Sequence, residues 1–317
     1  MSSIRKVFHL REIIVALVVA ITMIVLGGIF DLKLTKAIYD PVNTNMFGVI
    51  LSGICELPVC VGLAFGGFAL IKARPTDKTW KQVLSIIFGS IGVLVGAYFL
   101  FDTAKDWATF NNTAGFSTWA KVIGASLAVI IPGLIALVVF KFMKNVDNRT
   151  LFIMGICFLA LAAMIAILSN VEKFLWSRPR PRYIIGALHD ESLFHPLWQL
   201  DPFKCLTAKD IGDTDNLKSF PSGHTTYAST AMFILPLFTL LTPNNKENRM
   251  LQICLFYVGL AYAIMSAMSR VFAGAHYLSD TGAGMLTTII GAVLVYIILK
   301  AIINKIENKG VKQNVNA

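Results

Sequence analysis

The amino-acid sequence predicts an all-α protein, a polytopic membrane helix bundle of about eight transmembrane helices, and three observations carry that prediction. Of the 317 residues, 56% are hydrophobic and 15% charged, against about 25% charged in soluble domains, and the mean hydropathy is +0.68. Nearly uncharged runs long enough to cross about 30 Å of hydrocarbon, which takes about 20 residues, recur along the whole chain. Lys and Arg also alternate in density between successive connections, as the positive-inside rule requires. A disordered chain and an ordinary soluble domain are both excluded by this balance.

The apolar runs cover residues 12–30, 46–71, 83–101, 119–142, 150–171, 222–241, 250–268 and 281–303. The first follows Arg5, Lys6 and Arg11 and lacks a small-residue cleavage pattern, so it reads as an uncleaved first helix rather than a signal peptide. The second carries Glu56 and Pro58 in its middle. Proline is tolerated in membrane helices, and a carboxylate there either pairs with a neighbouring helix or serves a site.

With both termini cytoplasmic, 16 of the 28 Lys and Arg fall on the cytoplasmic side and 12 opposite, and eight of those 12 lie in the segments 172–221 and 269–280. The net charge of +10 is therefore mostly topology. No basic helix interleaved with aromatics is present, so nucleic acid is not an expected partner; the expected partner is the lipid bilayer itself. Cys55, Cys60, Cys157 and Cys254 fall inside apolar runs and Cys205 in a polar stretch, which offers neither a disulfide framework nor zinc spacing. The Asn111–Thr113 sequon on an outer loop is an acceptor only in a secretory-pathway host.

Three clusters put charge, histidine and glycine where helices end on the non-cytoplasmic face. The first is Lys173, Arg178, Arg180 and Arg182, within ten positions of one another. Arg178 and Arg182 read equally well as headgroup anchors, while Lys173 and Arg180 offer a point charge and bidentate donors to phosphate. The second, Pro221-Ser222-Gly223-His224, has Ser222 as N-cap of a helix whose exposed N–H groups attract an anion; Gly223 allows close approach, and His224 beside it suits proton donation. In the third, Ser269-Arg270 is followed by His276 and Asp280. If the last helix has begun there, the four-residue spacing lets Asp280 accept from one imidazole nitrogen and leaves the other free as base or nucleophile. Cations, N–H groups and two histidines without a metal-ligand cluster describe metal-free phosphoryl transfer.

The spacing Lys173, six residues, Arg180-Pro181; Pro221-Ser222-Gly223-His224; and Ser269-Arg270, five residues, His276, three residues, Asp280 resembles the three signature motifs of the type 2 phosphatidic acid phosphatase (PAP2) superfamily. That superfamily includes lipid phosphate phosphatases, undecaprenyl-diphosphate phosphatases, glucose-6-phosphatases and vanadium-dependent haloperoxidases. The resemblance implies that His276 attacks phosphorus, that Asp280 orients it, and that His224 protonates the leaving alkoxide. It implies that Lys173, Arg180, Ser222, the Gly223 backbone and Arg270 hold the phosphoryl oxygens, with no metal or other cofactor. It further implies a six-helix catalytic core at 83–303 with a lid at 184–219, preceded by two extra helices in 1–82 and followed by a cytoplasmic tail at 304–317.

The lid is rich in acids (Asp190, Glu191, Asp201, Asp210, Asp213, Asp215) and holds His189, His195 and Trp198; the acids read as a solvated loop face. The expected activity is hydrolysis of a membrane lipid phosphate or diphosphate (phosphatidate, phosphatidylglycerophosphate or undecaprenyl diphosphate class) at the non-cytoplasmic face of the cell membrane. The alternatives are a lipid phosphotransferase using the same phosphohistidine, and a transporter of anionic substrates. Oligomeric state is not encoded in these motifs.

Overall fold

The computed structural model describes residues 10–42, 45–73, 78–109, 114–207, 214–241 and 249–315. Arg5, Lys6, the 111–113 sequon, Asp210 and Asp213 lie outside them. In chain order the α-helices are α1 (Leu10–Ile38), α2 (Met46–Ser52), α3 (Leu57–Ala73), α4 (Thr79–Thr109), α5 (Ala114–Leu137), α6 (Asn148–Trp176), α7 (Lys204–Thr207), α8 (Gly223–Ser229), α9 (Ala231–Leu237), α10 (Arg249–Phe272) and α11 (Leu278–Val315). Among the described residues no strand occurs, and seven helical segments are long and apolar enough to cross a membrane.

Two predicted spans differ from their sequence reading. The run at 222–241 is not one long helix but α8, α9 and a 3-10 turn at Phe238–Leu241, so it is missing from those seven. Its hydroxyls explain the break. Thr226 and Ser229 donate to carbonyls four residues back and Thr230 to one three back, competition that bends helices, and Pro236 removes a further donor. This segment is nonetheless among the most buried: Ala228, Met232, Phe233, Ile234 and Leu237 are all in the core. The run at 46–71 splits into α2 and α3 at a turn over 53–56. Pro58 then falls in the first turn of α3, where a missing N–H costs nothing, and Glu56 stands in the turn just before that helix.

Helix α1 packs along α11; α3 lies between α4 and α6; α10 touches α2, α8 and α9; and α11 also touches α6 and α8. Ring contacts among Phe65, Phe158 and Phe238, with centroids 4.9–5.7 Å apart, tie three of these elements together. The outer faces of α1, α4 and α5 expose Val18, Ile29, Phe88, Leu94, Val129 and Leu134, the apolar exterior that lipid rather than water would cover. Because successive helices run in alternate directions, the C-terminal ends of α1, α4, α6 and α10 meet the N-terminal ends of α3, α8 and α11. At the other end Lys72 donates to the carbonyls of Val139 and Met143 at 2.7 and 2.6 Å, satisfying groups at a π-helical turn over Val138–Phe142.

Candidate active site

Each segment at the shared end is aimed by a local backbone device. Helix α10 stops at a Schellman motif: Gly274 N–H donates to Val271 O and Ala275 N–H to Arg270 O, each at 3.0 Å. Gly274 has φ +60°, and a Cβ there would stand 2.6 Å from the Tyr39 ring, so both conformation and space require glycine. His276 follows in the turn, and α11 begins only at Leu278. Asp280 sits in its first turn, where its Oδ2 accepts from the Tyr277 N–H at 2.9 Å, the reach-back half of a capping box. Helix α6 ends at Ser177 in the left-handed region, which releases the chain into the extended stretch carrying Arg178 and Arg180. Ser222 caps α8 as predicted, accepting from Thr225 N–H.

These segments close on a cavity of about 480 Å³ lined by Ser52, Glu56, Asp102, Lys173, Arg180, Arg182, Asp215, Gly223, His224, Tyr227, Arg270 and His276. Six of the eight residues singled out from sequence therefore share it: Lys173, Arg180, Gly223, His224, Arg270 and His276. Ser222 and Asp280 stand behind its wall, fully buried. A Cβ on Gly223 would lie 3.1 Å from Lys173 Nζ, so any larger residue would fill the space beside that ammonium.

The expected His276–Asp280 hydrogen bond is replaced by another arrangement, because His276 precedes the helix and the four-residue helical spacing does not apply. His276 Nδ1 lies 2.5 Å from the carbonyl oxygen of Ser219. A carbonyl can only accept, so Nδ1 carries the proton and Nε2 keeps its lone pair. Arg180 Nη1, a donor, stands 3.4 Å from Nε2, consistent with that tautomer. Asp280 acts at one remove: its Oδ2 accepts from Ser219 Oγ at 2.6 Å and its Oδ1 from Arg178 Nη1 at 2.5 Å. Burial, with Arg180, Arg270 and His224 close by, holds the His276 imidazole well below its ordinary pKa of 6.5 and hence neutral.

Arg178, evenly balanced between two roles in the sequence, is 0% exposed. It bridges Asp280 and Asp31, the latter at 2.9 Å, donates through Nε to the His195 carbonyl, and lies over the Tyr277 ring at 4.2 Å. It is not a headgroup anchor. Arg182, by contrast, lines the cavity. The lid acids are mixed: Asp190 caps its own 3-10 turn, Asp201 pairs with Lys204 and Glu191 with Lys36 at partly exposed positions, but Asp215 grips Arg180 Nη2 at 2.8 Å inside the site. For Asp215 the solvated-face reading is corrected. Trp176 Nε1 ties the 184–219 segment to the end of α6 by donating to the Leu197 carbonyl at 2.7 Å. Among the described residues no three His, Cys, Asp or Glu are grouped as metal ligands would be.

Glu56, Asp102, Asp31, Ser219 and Tyr227 were not singled out as site residues. Of these, Glu56 was flagged as an intramembrane carboxylate, and the same signal would have found Asp31 had the first run been extended by one residue.

Residues 150–304 match the profile described as the PAP2 superfamily. Lipid phosphate phosphatase 2 of Arabidopsis thaliana is 25% identical to this chain over 190 residues, 59% of this chain and 62% of that protein. The probable lipid phosphate phosphatase 4 of the same plant is 25% identical over 182 residues, 56% of each. The chain thus spans about six-tenths of the length of these curated relatives. No solved structure matches it. The segments that close on the cavity from 173 to 280 all fall inside the matched region, so the site is built within the part of the chain that is similar to the PAP2 superfamily.

Proposed function

We propose that this protein is an integral-membrane, metal-independent phosphatase that hydrolyses a lipid phosphate or diphosphate through a phosphohistidine at His276. The observation that carries the reading is the state of His276: Nδ1–H fixed on the Ser219 carbonyl and Nε2 turned toward a cavity lined by Lys173, Arg180, Arg182 and Arg270. The names of its relatives support the lipid phosphate class.

In the first step the Nε2 lone pair attacks phosphorus and the P–O bond to the lipid alcohol breaks. His224, protonated beside the bound phosphate, gives its proton to the leaving alkoxide. Lys173, Arg180 and Arg270 neutralise the equatorial oxygens, where charge accumulates, and the backbone at Gly223 completes the cradle, with Ser222 behind it as the cap of α8. The imidazole becomes cationic as the N–P bond forms, a charge stabilised by the Ser219 carbonyl and, through Ser219, by Asp280. In the second step a water gives a proton to His224 and attacks phosphorus, the N–P bond breaks, and Nε2 recovers its lone pair as phosphate leaves. The orientation with both termini cytoplasmic and the site on the opposite face of the cell membrane rests on the distribution of Lys and Arg.

The test is phosphate release from phosphatidate, phosphatidylglycerophosphate, undecaprenyl diphosphate and a soluble sugar phosphate, with EDTA present. Release from a lipid substrate by wild type and not by His276→Ala supports the reading. Loss of wild-type activity in EDTA, or equal release by the variant, overturns it, and transfer to an added alcohol in place of release would identify a phosphotransferase.

A further inference from the structure

The first helix lies outside residues 150–304, yet it delivers a carboxylate to the buried network behind the site. Asp31 is 3% exposed, in the C-terminal half of α1. Its Oδ1 accepts from the Ser279 backbone N–H at 3.1 Å, and its Oδ2 accepts from Arg178 Nη2 at 2.9 Å and from the Ser279 hydroxyl. Arg178 in turn donates to Ser279 Oγ at 2.8 Å and to Asp280 Oδ1 at 2.5 Å. One guanidinium and one serine therefore lie between two buried carboxylates, one from each of two packed helices.

The fit between those helices is specific to this junction. Gly27, one turn before Asp31, faces the start of α11, and a Cβ there would come within 2.3 Å of the Ser279 backbone nitrogen and 2.8 Å of Asp31 Oδ1. Small residues at such crossings let helix backbones meet. A lone carboxylate in a membrane span is costly and marks a functional position, and every partner of Asp31 belongs to the segments that hold His276. From Asp31 the chain of bonds runs through Arg178 to Asp280, through Ser219 Oγ, and by the Ser219 carbonyl to His276 Nδ1.

We infer that Asp31 is a positioning residue for His276: it fixes Arg178 and the first turn of α11, and thereby the Asp280–Ser219 pair that sets the tautomer of the nucleophile. Helix α1 is then a working part of the site rather than an accessory span. The inference rests on the proposed role of His276, and its test separates the two.

Imidazole nitrogen NMR of purified protein reads the tautomer without any turnover. In wild type, His276 shows a single Nδ1–H form; in Asp31→Asn it shows a mixture, and kcat on a lipid phosphate falls about 10–100-fold with KM within about threefold, the effect of a small misplacement of a reacting group. Lys36→Ala, an exposed change on the same helix, leaves both readouts at wild type. An Asp31→Asn protein with an unchanged His276 spectrum overturns the inference, whatever the activity. A wild type that releases no phosphate overturns the phosphatase reading while the spectrum still decides the role of Asp31. If Asp31→Asn cannot be recovered, Ser279→Ala removes the hydroxyl shared by Asp31 and Arg178 with the ion pairs retained, and must produce the same mixed tautomer for the inference to stand.

Discussion

Replacing Arg178 by Ala would leave Asp31 and Asp280, 3% and 0% exposed, buried with no guanidinium between them. Removing one partner of a buried ion pair costs about 3–5 kcal/mol, because the remaining charge keeps its desolvation penalty without compensation. Here two carboxylates lose the same partner, but each keeps neutral donors: the Ser279 N–H and hydroxyl for Asp31, the Ser219 hydroxyl and Tyr277 N–H for Asp280. Proton uptake by one carboxyl relieves the repulsion between them. The expected loss therefore stays near 3–5 kcal/mol rather than doubling. Arg178→Lys keeps the charge but cannot span both carboxylates and the His195 carbonyl, so about 1.5–3 kcal/mol is lost, roughly one charged hydrogen bond. Unfolding in mixed micelles by added denaturing detergent compares the variants under one condition. Arg178→Ala combined with Asp31→Asn should lose less than the two single losses added, since neighbours in one network couple by about 0.5–3 kcal/mol. An Arg178→Ala protein within about 1 kcal/mol of wild type, or strictly additive losses, would refute the bridge.

Other expectations follow from the same geometry. His276→Ala lowers kcat by about 10³-fold or more, the loss typical of a removed nucleophile, and abolishes acid-labile phosphate on the protein after rapid quench with labelled substrate. Because the His276 pKa is depressed in the folded protein, the unfolded chain binds this proton first: its stabilising contribution is present above pH 6.5 and lost as pH falls below it. The acid limb of kcat/KM, corrected for ionisation of the substrate, accordingly lies below pH 6.5, and a limb above that value tied to His276 contradicts the burial. Asp215→Ala frees Arg180 from a half-exposed carboxylate; such pairs are worth about 0.2–1 kcal/mol, so inorganic phosphate should inhibit up to about fivefold more tightly, and weaker inhibition would count against the pairing. Gly274→Ala forces a Cβ into the left-handed region beside Tyr39, costing about 1–2 kcal/mol and lowering kcat by shifting His276, measured as thermal stability and turnover on the same preparation.

The spans and the site were legible in the sequence for different reasons. Spans follow from composition over about 20 residues, and six of the eight appear as single long helices and a seventh as the pair α2 and α3; the eighth is broken because the hydroxyls of Thr226, Ser229 and Thr230, hidden in its apolar total, bond backward along the chain. The site residues lie within a few positions of helix ends, where a capping signal such as Ser222 is local and readable. The partner of each residue is not local. Whether His276 would bond Asp280 or the Ser219 carbonyl depended on where α11 starts, a boundary moved by the Schellman turn. That Asp31 would meet Arg178, 147 residues later, follows only from the packing of α1 on α11.

Two arginines two positions apart illustrate how burial separates permanent from exchangeable charge pairs. Arg178 and Asp31 have side chains 0% and 2% exposed; water cannot compensate either, so separation would cost the full desolvation of both and their pairing must persist through any reaction cycle. Arg180 and Asp215 are 10% and 48% exposed. Water already reaches that carboxylate, so it can withdraw at little cost when a better anion arrives, and a phosphate dianion offers the same guanidinium more charge and bidentate geometry. On the proposed phosphatase reading, a bound phosphate would exchange one anion for another at Arg180 while leaving Arg178 untouched.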